Sequence, residues 1–131
     1  MVEALVGTWK LESSENFDEL LKELNVGFMV RKVATSSKPN VEISKNGDEW
    51  TIKTISLKTT ESKFKIGEEF EEHKADGSKG KSTFTIDGDK LVQKSDNQGK
   101  EYFTTREVEG GKLKVTVKAG NVTCIRTYVK A

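Results

Sequence analysis

Cys124, Arg126 and Tyr128 alternate along the last apolar segment, Cys124-Ile125-Arg126-Thr127-Tyr128, and a lone Arg106 precedes them. Side chains of a strand alternate with period two, so these three share one face while Ile125, Thr127 and Val129 share the other. Two guanidiniums and a phenol turned inward would bind an anion. A buried unpaired guanidinium is costly and needs a counter-charge or water, and Arg meets a carboxylate with a planar, bidentate fork to which Tyr adds a hydroxyl. The same alternation also fits an ordinary half-buried strand with its polar face in water, or guanidiniums paired internally with Glu or Asp.

Other chemistries find less footing. His73 is the single histidine and stands in the acidic run Glu68-Glu69-Phe70-Glu71-Glu72-His73. No spacing there converges on a metal, so no metal and no cofactor are expected. No Ser or Cys nucleophile is paired with that His, so no catalytic residue is assigned, and Cys124 is expected in the wall as a small apolar group. An enzyme acting on an acyl ester or amide stands as the alternative of a different class.

These residues need a scaffold, and 131 residues provide one domain, 1–131, with room for one core. Hydrophobic residues make up 34% and charged residues 33%, a low apolar share that suits a wall around a cavity better than a solid globule, while Trp9, Trp50 and six Phe argue against disorder. Lys and Arg number 22 against 21 Asp and Glu, so there is no global field for a nucleic-acid backbone, and no basic, aromatic groove for an oligonucleotide. The opening Met-Val-Glu-Ala-Leu-Val-Gly-Thr-Trp lacks the pattern of a secretory signal or a spanning helix, and a lone Cys124 fits a reducing, cytoplasmic setting.

Turn signals recur about every ten residues: Asn46-Gly47, Ile66-Gly67, Asp76-Gly77, Asp87-Gly88, Gln98-Gly99, Gly110-Gly111 and Ala119-Gly120. They predict ten antiparallel strands near 5–14, 39–45, 49–55, 58–65, 69–74, 80–86, 90–95, 101–108, 112–118 and 122–130. Closing so large a sheet removes its edges, and a barrel of this size encloses a cavity. One stretch breaks the pattern. Phe17, Leu20, Leu21 and Leu24 fall at helical spacing, and a helix–turn–helix is expected over about 16–37. Ser13 or Ser14 would cap its first helix, Asn25-Val26-Gly27 would turn, and the second helix would run from Phe28 to Ser36 before Lys38-Pro39. The fold class is therefore all-β, a ten-stranded up-and-down barrel with a helical lid between its first two strands.

Gly7-Thr8-Trp9-Lys10-Leu11, Asn16-Phe17-Asp18, Lys38-Pro39, Lys45-Asn46-Gly47-Asp48 and Arg126-Thr127-Tyr128 resemble the intracellular fatty-acid-binding proteins, over essentially the whole chain. The resemblance implies a clam-shaped barrel with a water-filled cavity for a lipid. It places the family's carboxylate-binding trio on Arg106, Arg126 and Tyr128. It places the tail's neighbours at Phe17, Leu21, Val26, Ala34, Pro39, Leu57, Ala75, Asp76, Val115 and Val117, positions that would equally serve as core. Two departures from close relatives, Leu57-Lys58 and Ser78-Lys79, bear on the portal. Relatives with Gln in place of these Arg residues carry retinol, so both Arg imply an acid. The implied function is a monomeric, cytoplasmic and also nuclear carrier of a long-chain fatty acid, with a retinoic-acid-type carrier as the alternative. Lys22, Arg31 and Lys32 on the lid are read as either a solvated face or, as the resemblance implies, a basic patch for transient contact with anionic membranes or for nuclear entry.

Overall fold

The computed structural model describes residues 2–56, 59–73, 79–97 and 100–131. Within them ten strands form one antiparallel sheet: β1 (Gly7–Glu15), β2 (Asn40–Asn46), β3 (Glu49–Ile55), β4 (Thr60–Lys65), β5 (Phe70–His73), β6 (Lys79–Asp87), β7 (Lys90–Asn97), β8 (Lys100–Glu109), β9 (Lys112–Ala119) and β10 (Val122–Lys130). The order is β4-β3-β2-β1-β10-β9-β8-β7-β6-β5, so chain neighbours pair except at the β4–β5 junction, and β1 meets β10 to join the two halves. From β2 to β4 and from β5 to β10 each strand pairs with its sequence neighbour, because a short connection leaves it little other choice. At the Gly110-Gly111 turn both residues have positive φ, 61° and 78°, which only glycine adopts without cost. The barrel is nearly closed. β4 and β5 touch without ladder bonds, and the Gly67 N–H between them donates instead to the Phe84 carbonyl at 2.7 Å.

Two helices, α1 (Phe17–Glu23) and α2 (Phe28–Ser36), lie between β1 and β2. The second matches its expected bounds, but neither Ser13 nor Ser14 caps the first: both belong to β1. Asn16 sits at the cap position in the left-handed region (φ 60°), and its side-chain amide donates across to the Thr123 carbonyl at 3.1 Å. α1 ends with Asn25 at φ 63°, the Asn25 N–H reaching the Lys22 carbonyl (3.0 Å) and the Val26 N–H the Leu21 carbonyl (2.9 Å). That pair of bonds satisfies the carbonyls a helix end leaves open.

The first strand starts later than its pattern suggested. Val2–Leu5 form a 3-10 turn whose Val2 and Leu5 are buried, and the Leu5 carbonyl accepts the Trp9 indole N–H at 2.8 Å. Val2 and Leu5, three residues apart and so on one face of the 3-10 turn, pack together into the core of the barrel.

Two apolar clusters fill the interior. One holds Val2, Leu5, Trp9, Val41, Ile43, Trp50, Ile52, Phe64, Phe84, Leu91, Leu113 and Tyr128. The other, under α1, holds Leu20, Leu24, Val117, Ala119 and Cys124. A solid domain of this size has one contiguous core. Here Val115 borders both clusters, and the inward side chains between them include Arg106 and Arg126, neither fully buried. The interior is therefore divided by a polar zone rather than packed shut.

Candidate functional site

Strand register assembles the trio. Arg106 of β8 and Arg126 of β10 both pair with Val115 of the intervening β9, so the two guanidiniums leave the wall at one level with an apolar residue between them. Tyr128 stands two residues further along β10, paired with Leu113 on one side and Leu11 on the other. Alternation then puts Cys124, Arg126 and Tyr128 on the inner face, with Cys124 and Tyr128 buried and Ile125, Thr127 and Val129 outside.

The two arginines have different surroundings. Arg106 donates from Nη1 to the Gln93 side-chain oxygen at 2.9 Å and lies 5.6 Å from the Phe84 ring centroid. Arg126 lies over the Phe17 ring at 3.9 Å, a cation–π contact that ties the barrel wall to α1. Its Nε is buried and has no hydrogen-bond partner. Burial pushes the Tyr128 phenol above its ordinary value, while the positive charges of Arg126 and Arg106 pull it back. The Cys124 thiol is likewise raised by burial and partly lowered by Arg126. Both groups therefore stay neutral at physiological pH.

A second polar set lies beside the trio, and sequence reading passed over it. Gln93, Ser82, Ser95 and Thr104 are all buried. The Gln93 amide donates to Ser82 Oγ at 3.2 Å, and Ser82 and Ser95 share a hydrogen bond at 2.9 Å. Alternation offered a signal: Leu91, Gln93 and Ser95 share the inward face of β7, yet polar residues in a charged chain read as surface.

Of the remaining positions, Phe17, Val26 and Val117 lie in or against the cluster under α1, Val115 borders both clusters, and Pro39 is buried. Leu21 and Ala34 are half-buried. Leu57, Ala75 and Asp76, with the departures at Lys58 and Ser78, lie outside the described residues.

The lid cations do not act alike. Arg31, only 17% exposed at its side chain, donates to Asp18 at 3.1 Å and to the Val26 carbonyl at 2.8 Å, fastening α2 to α1. Lys22 shares Asp18 at 3.5 Å, and Lys32 is exposed. Beside them Phe28 and Met29 are 65% and 74% exposed, and no residue of α2 is buried. Among the described residues no helix is long and apolar enough to cross a membrane, and no group of acidic, His or Cys side chains could hold a metal.

Known proteins are similar to this chain in sequence and fold. Fatty acid-binding protein 12 of Mus musculus is 50% identical over 129 residues, 98% of each chain. The solved REP1-NXSQ fatty acid transporter superposes with a TM-score of 0.94 at 42% identity, covering 98% of this chain and 97% of that one. A Schistosoma mansoni fatty acid binding protein, solved in complex with arachidonic acid, superposes with a TM-score of 0.95 at 35% identity over 99% and 98% of the two chains. The family model described as the lipocalin / cytosolic fatty-acid binding protein family matches residues 6–131, from the first strand to the last residue. With that match and a half-identical relative over nearly its whole length, the chain belongs to the lipocalin / cytosolic fatty-acid binding protein family.

Proposed function

We propose that the protein binds one long-chain fatty acid inside its barrel and carries it through the cytosol, with the carboxylate between Arg106 and Arg126 and accepting a hydrogen bond from Tyr128. The observation that carries this reading is the pair of inward guanidiniums at one level of the wall, one with a buried, unpartnered Nε. A carboxylate fits both, because it accepts at two oxygens and meets each guanidinium in a charge-assisted hydrogen bond. The names of the similar proteins favour an acyl chain over a polyene. The tail would run past Phe17, Leu21, Val26, Ala34, Pro39, Val115 and Val117. Burying it contributes roughly 0.8 kcal/mol per methylene before ordering costs, so chain length sets most of the affinity and the arginines set the head group.

The test is to delipidate the protein and titrate it with oleate, retinoic acid and oleyl alcohol. Oleate is expected to bind most tightly at about one per chain, and Arg126→Gln to weaken acid binding about tenfold or more, as for a lost charged hydrogen bond, while leaving alcohol binding in place. Equal affinity for acid and alcohol, or an unchanged Arg126→Gln variant, would put the head group elsewhere. Tighter binding of retinoic acid would identify the other kind of carrier.

A further inference from the structure

Phe17 is placed above as a neighbour of the ligand's tail, yet its ring lies on a head-group residue: the ring centroid stands 3.9 Å from the guanidinium carbon of Arg126. A guanidinium donates its hydrogen bonds in its own plane and leaves its two flat faces for stacking. A ring against one face attracts the cation through the negative face of its π system and takes up none of the N–H donors. The Nε of Arg126 is buried and still without a partner. The ring therefore holds this guanidinium without using the edge that a carboxylate would bind.

The ring is itself held in place. Phe17 opens α1, and Asn16 just before it, at φ 60°, donates from its side-chain amide to the carbonyl of Thr123, three residues ahead of Arg126 on β10. Further along the helix Leu20 is buried in the cluster that includes Val117 and Cys124, and Phe17 packs against that cluster. The strand that carries Arg126 thus also pins the helix end that carries its ring. We propose that Phe17 is a positioning residue for head-group selectivity: it fixes the Arg126 guanidinium with an edge open to the cavity, and so ties the grip on an acid to the seated position of α1. The inference deepens the carboxylate reading above and rests on it. A leucine at position 17 would fill much of the same space but offer no π face. The long side chain of Arg126 would then be ordered only when an anion arrives, which weakens acid binding and leaves alcohol binding free of that cost.

The test compares wild type, Phe17→Leu, Phe17→Tyr and Arg126→Gln, each delipidated and titrated with oleate and with oleyl alcohol. Phe17→Leu removes a tail contact for both ligands, but it should weaken oleate by a further factor of about two to ten, the scale of ordering one long side chain on binding, so the acid-to-alcohol ratio falls. Phe17→Tyr keeps the ring and should keep the ratio. In nitrogen–proton NMR of the delipidated protein, the Arg126 Nε–H signal should carry the shielding of the ring in wild type and Phe17→Tyr and lose it in Phe17→Leu. Equal weakening of both ligands in Phe17→Leu would make Phe17 a tail neighbour only, and a rise in the ratio would mean that the ring competes with the anion; either result overturns the proposal. If Arg126→Gln collapses the ratio and Phe17→Leu does not change it, this inference falls and the carboxylate reading stands. If Arg126→Gln leaves the ratio unchanged as well, both fall. Should Phe17→Leu fail to fold, Asn16→Gly, which keeps the left-handed backbone and removes only the bond to Thr123, decides by the same ratio: a fall supports the proposal and an unchanged ratio overturns it.

Discussion

Arg126 and Tyr128 are neighbours on one strand face, yet they answer to different forces. The guanidinium keeps its charge and leans on an aromatic ring of the lid, while the phenol is kept protonated by burial against the pull of both arginines. Because the folded phenol holds its proton more tightly than the unfolded one, its contribution to stability is fully present below the ordinary phenol pKa of about 10 and is lost as pH rises through the higher folded value. The buried Cys124 thiol has the same sign, with its window opening at about pH 8.5. Tyr128→Phe is therefore expected to flatten the fall of stability with alkaline pH, measured by urea unfolding at several pH values from neutral upward. An unchanged slope would mean that other groups control the alkaline limb.

At the scale of elements, the two lid helices are anchored unequally. α1 is fixed at both ends: Asn16 reaches the Thr123 carbonyl, and Lys100 Nζ donates to the Glu23 carbonyl at 2.7 Å and to its carboxylate at 3.1 Å, while Leu20 and Leu24 are buried beneath. α2 buries no residue and is held to α1 through Arg31. Arg31→Ala should accordingly cost about 1–2 kcal/mol locally, the scale of a charged hydrogen bond, seen as faster hydrogen exchange of α2 amides with strand amides unchanged. Lys22 and Lys32 are exposed on the lid, as are Phe28 and Met29, which suits brief contact with an anionic bilayer at about 1 kcal/mol per cation. The double variant Lys22→Glu, Lys32→Glu is expected to slow ligand transfer to anionic vesicles and leave transfer to neutral ones unaltered. Equal rates to both would exclude an electrostatic step.

For the molecule as a whole, the inward arginines set binding against stability. A barrel without them would bury more apolar surface and leave no unpaired guanidinium nitrogen, so Arg126→Leu should raise the unfolding free energy of the delipidated protein by about 1–2 kcal/mol while removing most acid affinity. Chemical denaturation with and without oleate checks both halves, and a destabilised variant would show that Arg126 instead braces the lid through Phe17.

Much of this was legible before any coordinates. Turn residues at regular spacing located every strand to within a few residues, because Gly and Asn punctuate a meander locally and each turn leaves its two strands little choice but to pair. Period-two alternation likewise put Cys124, Arg126 and Tyr128 on one face, and helical spacing found the lid. What the chain alone could not convey depends on residues far apart in it. Leu5 falls in a 3-10 turn and not in the first strand because it and Val2 pack against Leu113 and Tyr128, more than a hundred residues later. Asn16 displaces the serines as the start of α1 because Thr123 lies across from it. Arg31 turns from surface charge to internal fastener because α2 folds back on Asp18 and Val26. Gln93 faces Arg106 only because β7 and β8 pair in one register, and a shift of a single residue would turn that amide out to solvent. Local pattern determined the strands, the lid and the shared face of Cys124, Arg126 and Tyr128; tertiary register decided which polar groups meet inside, because a hydrogen bond depends on distance in space and not on separation along the chain.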